Sequence, residues 1–234
     1  GEPYDEKRIP DEQAIKGMID WLNIRQQAVD DAKRDVPHKN VDVFHYTEVN
    51  LVQKAIRGGK TVTSCVLPFT NVDYVSYSCY DSLYDLYSRV RDKQGVIGSE
   101  ELRTMKKRLY ESLDYIATQL PDKNIHGKRV FIGEYGFPLI HVKTQQTQDI
   151  ALREFIIAAI EWGCPFILYW QIYENECAGR GDLSQETGWA MIDSDGEKRI
   201  IYNTHRDFYE HMRKFIEEYR SEEHTSELQS RQSI

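Results

Sequence analysis

The sequence predicts an α/β domain in which parallel strands alternate with outer helices, and three observations carry that prediction. Short runs of β-forming apolar residues, among them Val130-Phe131-Ile132 and Phe166-Ile167-Leu168-Tyr169, are continuous rather than alternating, as strands covered on both faces are. Longer stretches between them repeat apolar residues at helical spacing. The strands recur at intervals of ~30 residues, which a strand–helix repeat requires.

Residues 1–10 are polar, with Pro3 and Pro10, and read as loop. From Asp11 the spacing of Ile15, Met18, Ile19, Leu22 and Val29 predicts an amphipathic helix that stops near Asp35-Val36-Pro37. Val41 to Tyr46 reads as a strand, Glu48 to Arg57 as a short helix ended by Gly58-Gly59, and Thr61 to Leu67 as an extended segment. Val72 to Tyr77 is the next strand, with Tyr77, Ser78, Tyr80 and Asp81 at its carboxyl end, and a long connection leads to Gly98-Ser99. Ser99 is a suitable N-cap, and Leu102, Met105, Leu109, Leu113, Ile116 and Leu120 form the buried stripe of the helix it opens.

The strand from Arg129 follows, cut off by Gly133, Glu134 and a Gly/Pro turn. A helix over Gln148 to Trp162 leads to the strand Pro165 to Tyr173; Thr187 to Gly196 reads as a strand with an Asp-Gly turn, and a last helix covers Asn203 to Tyr219.

The tally is four strand-then-helix units, each strand parallel to the next by the crossover rule. An eight-stranded barrel takes ~250 residues, and this chain opens on a loop and helix with no strand before them. Residues 1–219 are therefore expected to be the carboxyl-terminal half, strands five to eight, of a (β/α)8 TIM barrel. Such a half leaves the barrel interior uncovered, so by itself it is expected to be inactive and to dimerise or aggregate. Residues 220–234 have no apolar period and resemble the in-frame translation of a sequencing adapter, so they are expected to form a disordered, non-native tail.

Composition narrows the partners. The net charge is −8; leaving out residues 220–234 removes two Arg and three Glu and gives −7. With no basic run longer than Lys106-Lys107-Arg108, nucleic acid is not an expected partner. No apolar run is long enough to span a membrane. Cys65, Cys79, Cys164 and Cys177 are scattered without a metal-ligand pattern, and their redox state is open. His45, His126 and His141 do not supply the clustered ligands of a metal-dependent hydrolase, and no cofactor is expected.

Glu134 ends a buried strand, and the carboxyl ends of such strands are where reacting groups gather. Ile132-Gly133-Glu134-Tyr135-Gly136 followed by Phe166-Ile167-Leu168-Tyr169-Trp170 resembles the seventh and eighth strands of clan A glycoside hydrolases, the cellulase-like (β/α)8 enzymes. The resemblance covers about Asp11 to Tyr219. It implies a carbohydrate substrate, a retaining double displacement by two carboxyl groups, Glu134 as nucleophile and Trp170 as sugar platform.

The acid/base of that clan follows strand four, often as Asn-Glu-Pro; Glu2-Pro3 matches in part, with Gly1 in place of Asn, and the alternative is a residue upstream. Tyr77 is placed to hydrogen-bond Glu134 and orient it, or is a barrel-rim aromatic. His45, at the end of the predicted strand five, would bond a sugar hydroxyl or a carboxyl, or is structural. Tyr46 and Tyr80, with Gln171 and Glu174 on the rim, are further substrate-binding candidates, whereas Glu48 reads as a first-turn helix charge. The rival class is a barrel that binds carbohydrate or acts as a scaffold without catalysis.

Overall fold

The computed structural model describes residues 10–37, 39–177 and 185–231, with side chains described as far as Arg220. Helix α1 (Glu12–Asp35) is capped by Asp11, whose carboxylate accepts from the Ala14 amide at 2.7 Å, and it ends where Val36 turns extended before Pro37. Strand β1 is Tyr46–Val49, starting five residues later and ending three residues later than the predicted Val41 to Tyr46. The ladder decides this: the His45 carbonyl accepts from the Asp73 and Tyr74 amides, and pairing begins at Tyr46.

Helix α2 (Val52–Ile56) stops at Gly58, whose φ of 84° suits glycine alone. The expected extended segment after it is instead helix α3 (Val62–Cys65) and a 3₁₀ turn over Leu67–Phe69. Reciprocal bonds between Thr61 and Ser64 form a capping box there and outweigh the β-preference of Val62 and Thr63.

Strand β2 (Tyr74–Ser78) is followed by helix α4 (Tyr80–Asp92), where a long connection was expected. Its buried stripe, Leu83, Leu86, Tyr87 and Val90, has regular helical spacing, but Tyr, Asp and Ser on its other faces obscure it. Helix α5 (Ser99–Gln119) has Gly98 at the cap position, and the Glu101 carboxylate reaches back to the Gly98 amide at 3.0 Å. Strand β3 (Val130–Tyr135), helices α6 (Leu139–Val142) and α7 (Gln145–Trp162), and strand β4 (Ile167–Tyr169) follow.

Between 187 and 196 there is no strand, only isolated bridges from Ile192 to Tyr173 and Lys198, although the turn closed by Gly196 is present. Helix α8 (Ile200–Arg231) continues past Tyr219 as one helix into the residues expected to form a loose tail.

The four strands make one sheet in the order β1-β2-β3-β4, every pair parallel. One face carries Thr47, Val49, Val75, Tyr77, Val130, Ile132 and Tyr135, buried against α4, α5 and α7 in the hydrophobic core. Strand alternation sends Tyr46, Glu48, Ser76, Ser78 and Phe131 to the other face. That face has no layer over it among the described residues: Tyr46 is 53 % exposed, Phe166 55 % and Leu168 52 %. Its aromatics contact one another edge to face, Tyr46 on Phe131 at 5.4 Å and Phe131 on Phe166 at 5.6 Å. Neither edge strand, β1 or β4, has a second strand neighbour among the described residues.

Candidate active site

Glu134 owes its position to two local features of β3. A register shift opposite Tyr77 and Ser78, matched by another between Ile132 and Tyr135 on the β4 side, puts an extra residue into the strand. Such a bulge re-aims a side chain, here turning Glu134 away from the helices while Tyr135 stays buried on Phe155 at 4.4 Å. The flanking glycines are both needed: a Cβ on Gly133 would meet Ser76 Oγ at 1.8 Å, and one on Gly136 would meet the Trp170 carbonyl at 2.7 Å and the Trp189 ring at 2.8 Å. The Gly-Glu-Tyr-Gly pattern thus records close approach on either side of the carboxylate.

Glu134 opens into a cavity of about 300 Å³ walled by Tyr80, Tyr84, Tyr87, His141, Trp170, Glu176 and Trp189. The Tyr80 phenol faces the Glu134 carboxylate and favours its ionised form, and its ring stands edge-on to Trp189 at 5.3 Å. Trp170 is 36 % exposed and donates its indole N–H to Glu176 Oε1 at 2.8 Å, the half-buried, partnered state expected of a platform residue. His141 lies stacked on Tyr87 at 5.0 Å, and burial with nearby Arg91 and Lys143 lowers its pKa.

Burial, then the negative charges of Glu48 and Glu176, raise the Glu134 pKa above the ordinary glutamate value, and the Tyr80 phenol opposes them. Burial and the charge of Glu134 in turn push the Tyr80 phenol up, so Tyr80 stays a neutral donor.

Several predicted site residues lie elsewhere. Tyr77 does not orient Glu134: strand alternation points it into the core, where its hydroxyl donates to Asp81 Oδ1 at 2.6 Å. Tyr80, three residues on at the start of α4, is the tyrosine that faces Glu134 across the cavity. His45 is at the amino end of β1, the end opposite Glu134, because the strand starts later than predicted. It is buried, its Nδ1 lies 3.3 Å from Gln26 Oε1, and burial lowers its pKa, so it is a neutral structural histidine.

Tyr46 is on the open face but lines a separate recess with Met18, Trp21 and Glu48. Gln171 donates to Asn175 Oδ1 at 2.6 Å and is outside the cavity wall. Glu174 is not a rim residue: its side chain is fully buried and paired with Arg199 at 2.9 Å. Glu2 lies outside the described residues.

One residue that the sequence misassigned to a helix start, Glu48, and two that it passed over, Glu176 and Trp189, also belong here. Glu48 lies inside β1, accepts from the Ser78 hydroxyl at 2.7 Å and shares the open face with Glu134. Glu176 and Trp189 complete the cavity from the segment after β4. Beneath that segment, Arg199 bonds Glu174, Glu186 and, at 2.7 Å, the Ala190 carbonyl, and Glu174 Oε2 accepts from the Ala190 amide at 3.3 Å. This buried triad holds the backbone beside Trp189.

Among the described residues no three His, Cys, Asp or Glu side chains converge as metal ligands, and no helix is long and apolar enough to cross a membrane. No protein-family model, no curated protein and no solved structure matches the chain.

Proposed function

We propose that this chain is the carboxyl-terminal half of an eight-stranded (β/α)8 barrel and carries the nucleophile, Glu134, of a retaining glycoside hydrolase. The half-barrel reading is supported by four parallel strands with helices on one face only, and by apolar side chains on the uncovered face. An apolar groove of about 370 Å³ between Ala28, Val29 and Ala32 of α1 and Val41 and Val43, on the approach to β1, is where a neighbouring βα unit would pack in this reading. Eight strands is the number at which side chains just fill a barrel interior.

The observation that carries the catalytic reading is a carboxylate, faced by Tyr80, that opens into an aromatic-walled cavity at the carboxyl end of a parallel sheet. Trp170 and Trp189 offer apolar faces of the kind sugar rings stack on, while Glu134 and Glu176 offer acceptors for hydroxyl groups. A retaining enzyme needs a second carboxyl ~5 to 5.5 Å from the nucleophile, contributed in this reading by the other half of the barrel. Glu134 attacks the anomeric carbon as the second carboxyl protonates the leaving oxygen. Water then opens the glycosyl ester with that carboxyl acting as base.

The stereochemistry tests this. Proton NMR of the full-length enzyme cleaving a β-linked aryl glycoside in D₂O should show the β-anomer of the product first, with the α-anomer appearing only by mutarotation. The α-anomer as first product would exclude a covalent intermediate on Glu134.

A further inference from the structure

We propose that Glu48 is a positioning residue of this site: anchored by Ser78, it holds a negative charge on the face of the sheet that carries Glu134 and governs the protonation of that carboxylate. The geometry is a rung across three strands. Glu48 accepts from Ser78 Oγ at 2.7 Å, Ser78 is buried and in register with Glu134, and the Cys79 amide donates to the Glu134 carbonyl at 3.0 Å. Glu48 is exposed, but this bond ties its carboxylate to the strand next to Glu134.

Other groups also face Glu134. Tyr80, Tyr84 and Tyr87 come from α4, His141 from α6, Glu176 from the segment after β4, and Cys79 lies behind its backbone. Tyr80 favours ionised Glu134, Glu176 is engaged by the Trp170 indole, and His141 is held toward its neutral form. After burial, Glu48 is the largest influence against ionisation. A like charge disfavours the charged form, so Glu48 raises the pH at which Glu134 loses its proton.

This inference rests on the nucleophile reading only for its consequence: because the nucleophile must be ionised, Glu48 sets the acid limit of turnover. The coupling itself needs no turnover to observe. Glutamate carboxyl carbons in this chain, labelled with carbon-13 and titrated by NMR, with Glu134→Gln used to assign the resonance, report the midpoint of Glu134 directly. In Glu48→Gln that midpoint should fall by roughly half a pH unit at low salt, and by much less at 1 M salt, where charges are screened beyond ~3 Å. Ser78→Ala, which frees the Glu48 side chain, should give a smaller fall.

A midpoint that is unchanged or raised in Glu48→Gln would overturn the proposal. So would a fall of the same size at both salt concentrations, which would mean a local structural change. Either failure leaves the nucleophile reading standing, whereas full activity in Glu134→Gln would remove that reading and leave the coupling measurable.

Discussion

On the proposed assignment, replacing Glu134 by Gln in the complete barrel should lower turnover of an unactivated β-glycoside by roughly three orders of magnitude or more while leaving the thermal transition nearly in place. The amide keeps the shape of the carboxylate and can still meet the Tyr80 hydroxyl, but it cannot form the glycosyl ester. Glu134 is only partly buried, and its environment disfavours the charge, so removing that charge takes little from the fold. A large loss of activity with an unchanged melting temperature separates a chemical role from a structural one; similar falls in both would mean that Glu134 is a structural residue at a strand end.

Arg199→Ala should behave in the opposite way. Arg199 and Glu174 are both buried, and removing the cation leaves the Glu174 carboxylate with no ion-pair partner in a dry setting. Breaking such a pair from one side costs about 3–5 kcal/mol, and at about 2–4 °C per kcal/mol for a domain of this size the melting temperature should drop by about 6–20 °C. Replacing Arg199 and Glu174 together by Met and Leu should cost much less, since no charge is then left buried. The Ala190 carbonyl loses its Arg199 partner in either variant, and the Ala190 amide loses Glu174 in the double variant, so the emission of neighbouring Trp189 should also change. A single variant as stable as the parent would show that the triad does not hold this segment.

The contrast between these two sites shows what could be read from the sequence. The four βα units, the helices α1, α5 and α7, and the placing of Glu134 and Trp170 at strand ends follow from short-range signals: apolar runs, helical stripes, caps and the Gly-Glu-Tyr-Gly break. Glu134 and Trp170 meet around one cavity because consecutive parallel strands bring their carboxyl ends together.

What the sequence concealed depends on register or on distant partners. A five-residue shift in the start of β1 moves His45 to the far end of the sheet and brings Glu48 onto the open face. Tyr77 and Tyr80 are equally close to a strand end, and only strand alternation and the start of α4 decide that Tyr80 reaches Glu134. Glu174 looked like an acidic rim residue because its partner, Arg199, is 25 positions away, beyond any local pattern. Helix α4 had a legible stripe in Leu83, Leu86, Tyr87 and Val90, masked by polar residues on its exposed side.

The nucleophile assignment is tested most directly by trapping. On the proposed mechanism, incubating the complete barrel with a 2-deoxy-2-fluoro β-glycoside bearing a dinitrophenolate leaving group should slow the second step and let the glycosyl ester accumulate. Tryptic digestion cuts after Arg129 and Lys143, so the sugar mass should appear on the peptide from Val130 to Lys143, at Glu134, and should be absent in Glu134→Gln. Label on any other carboxylate, or inactivation that persists in Glu134→Gln, would contradict the assignment.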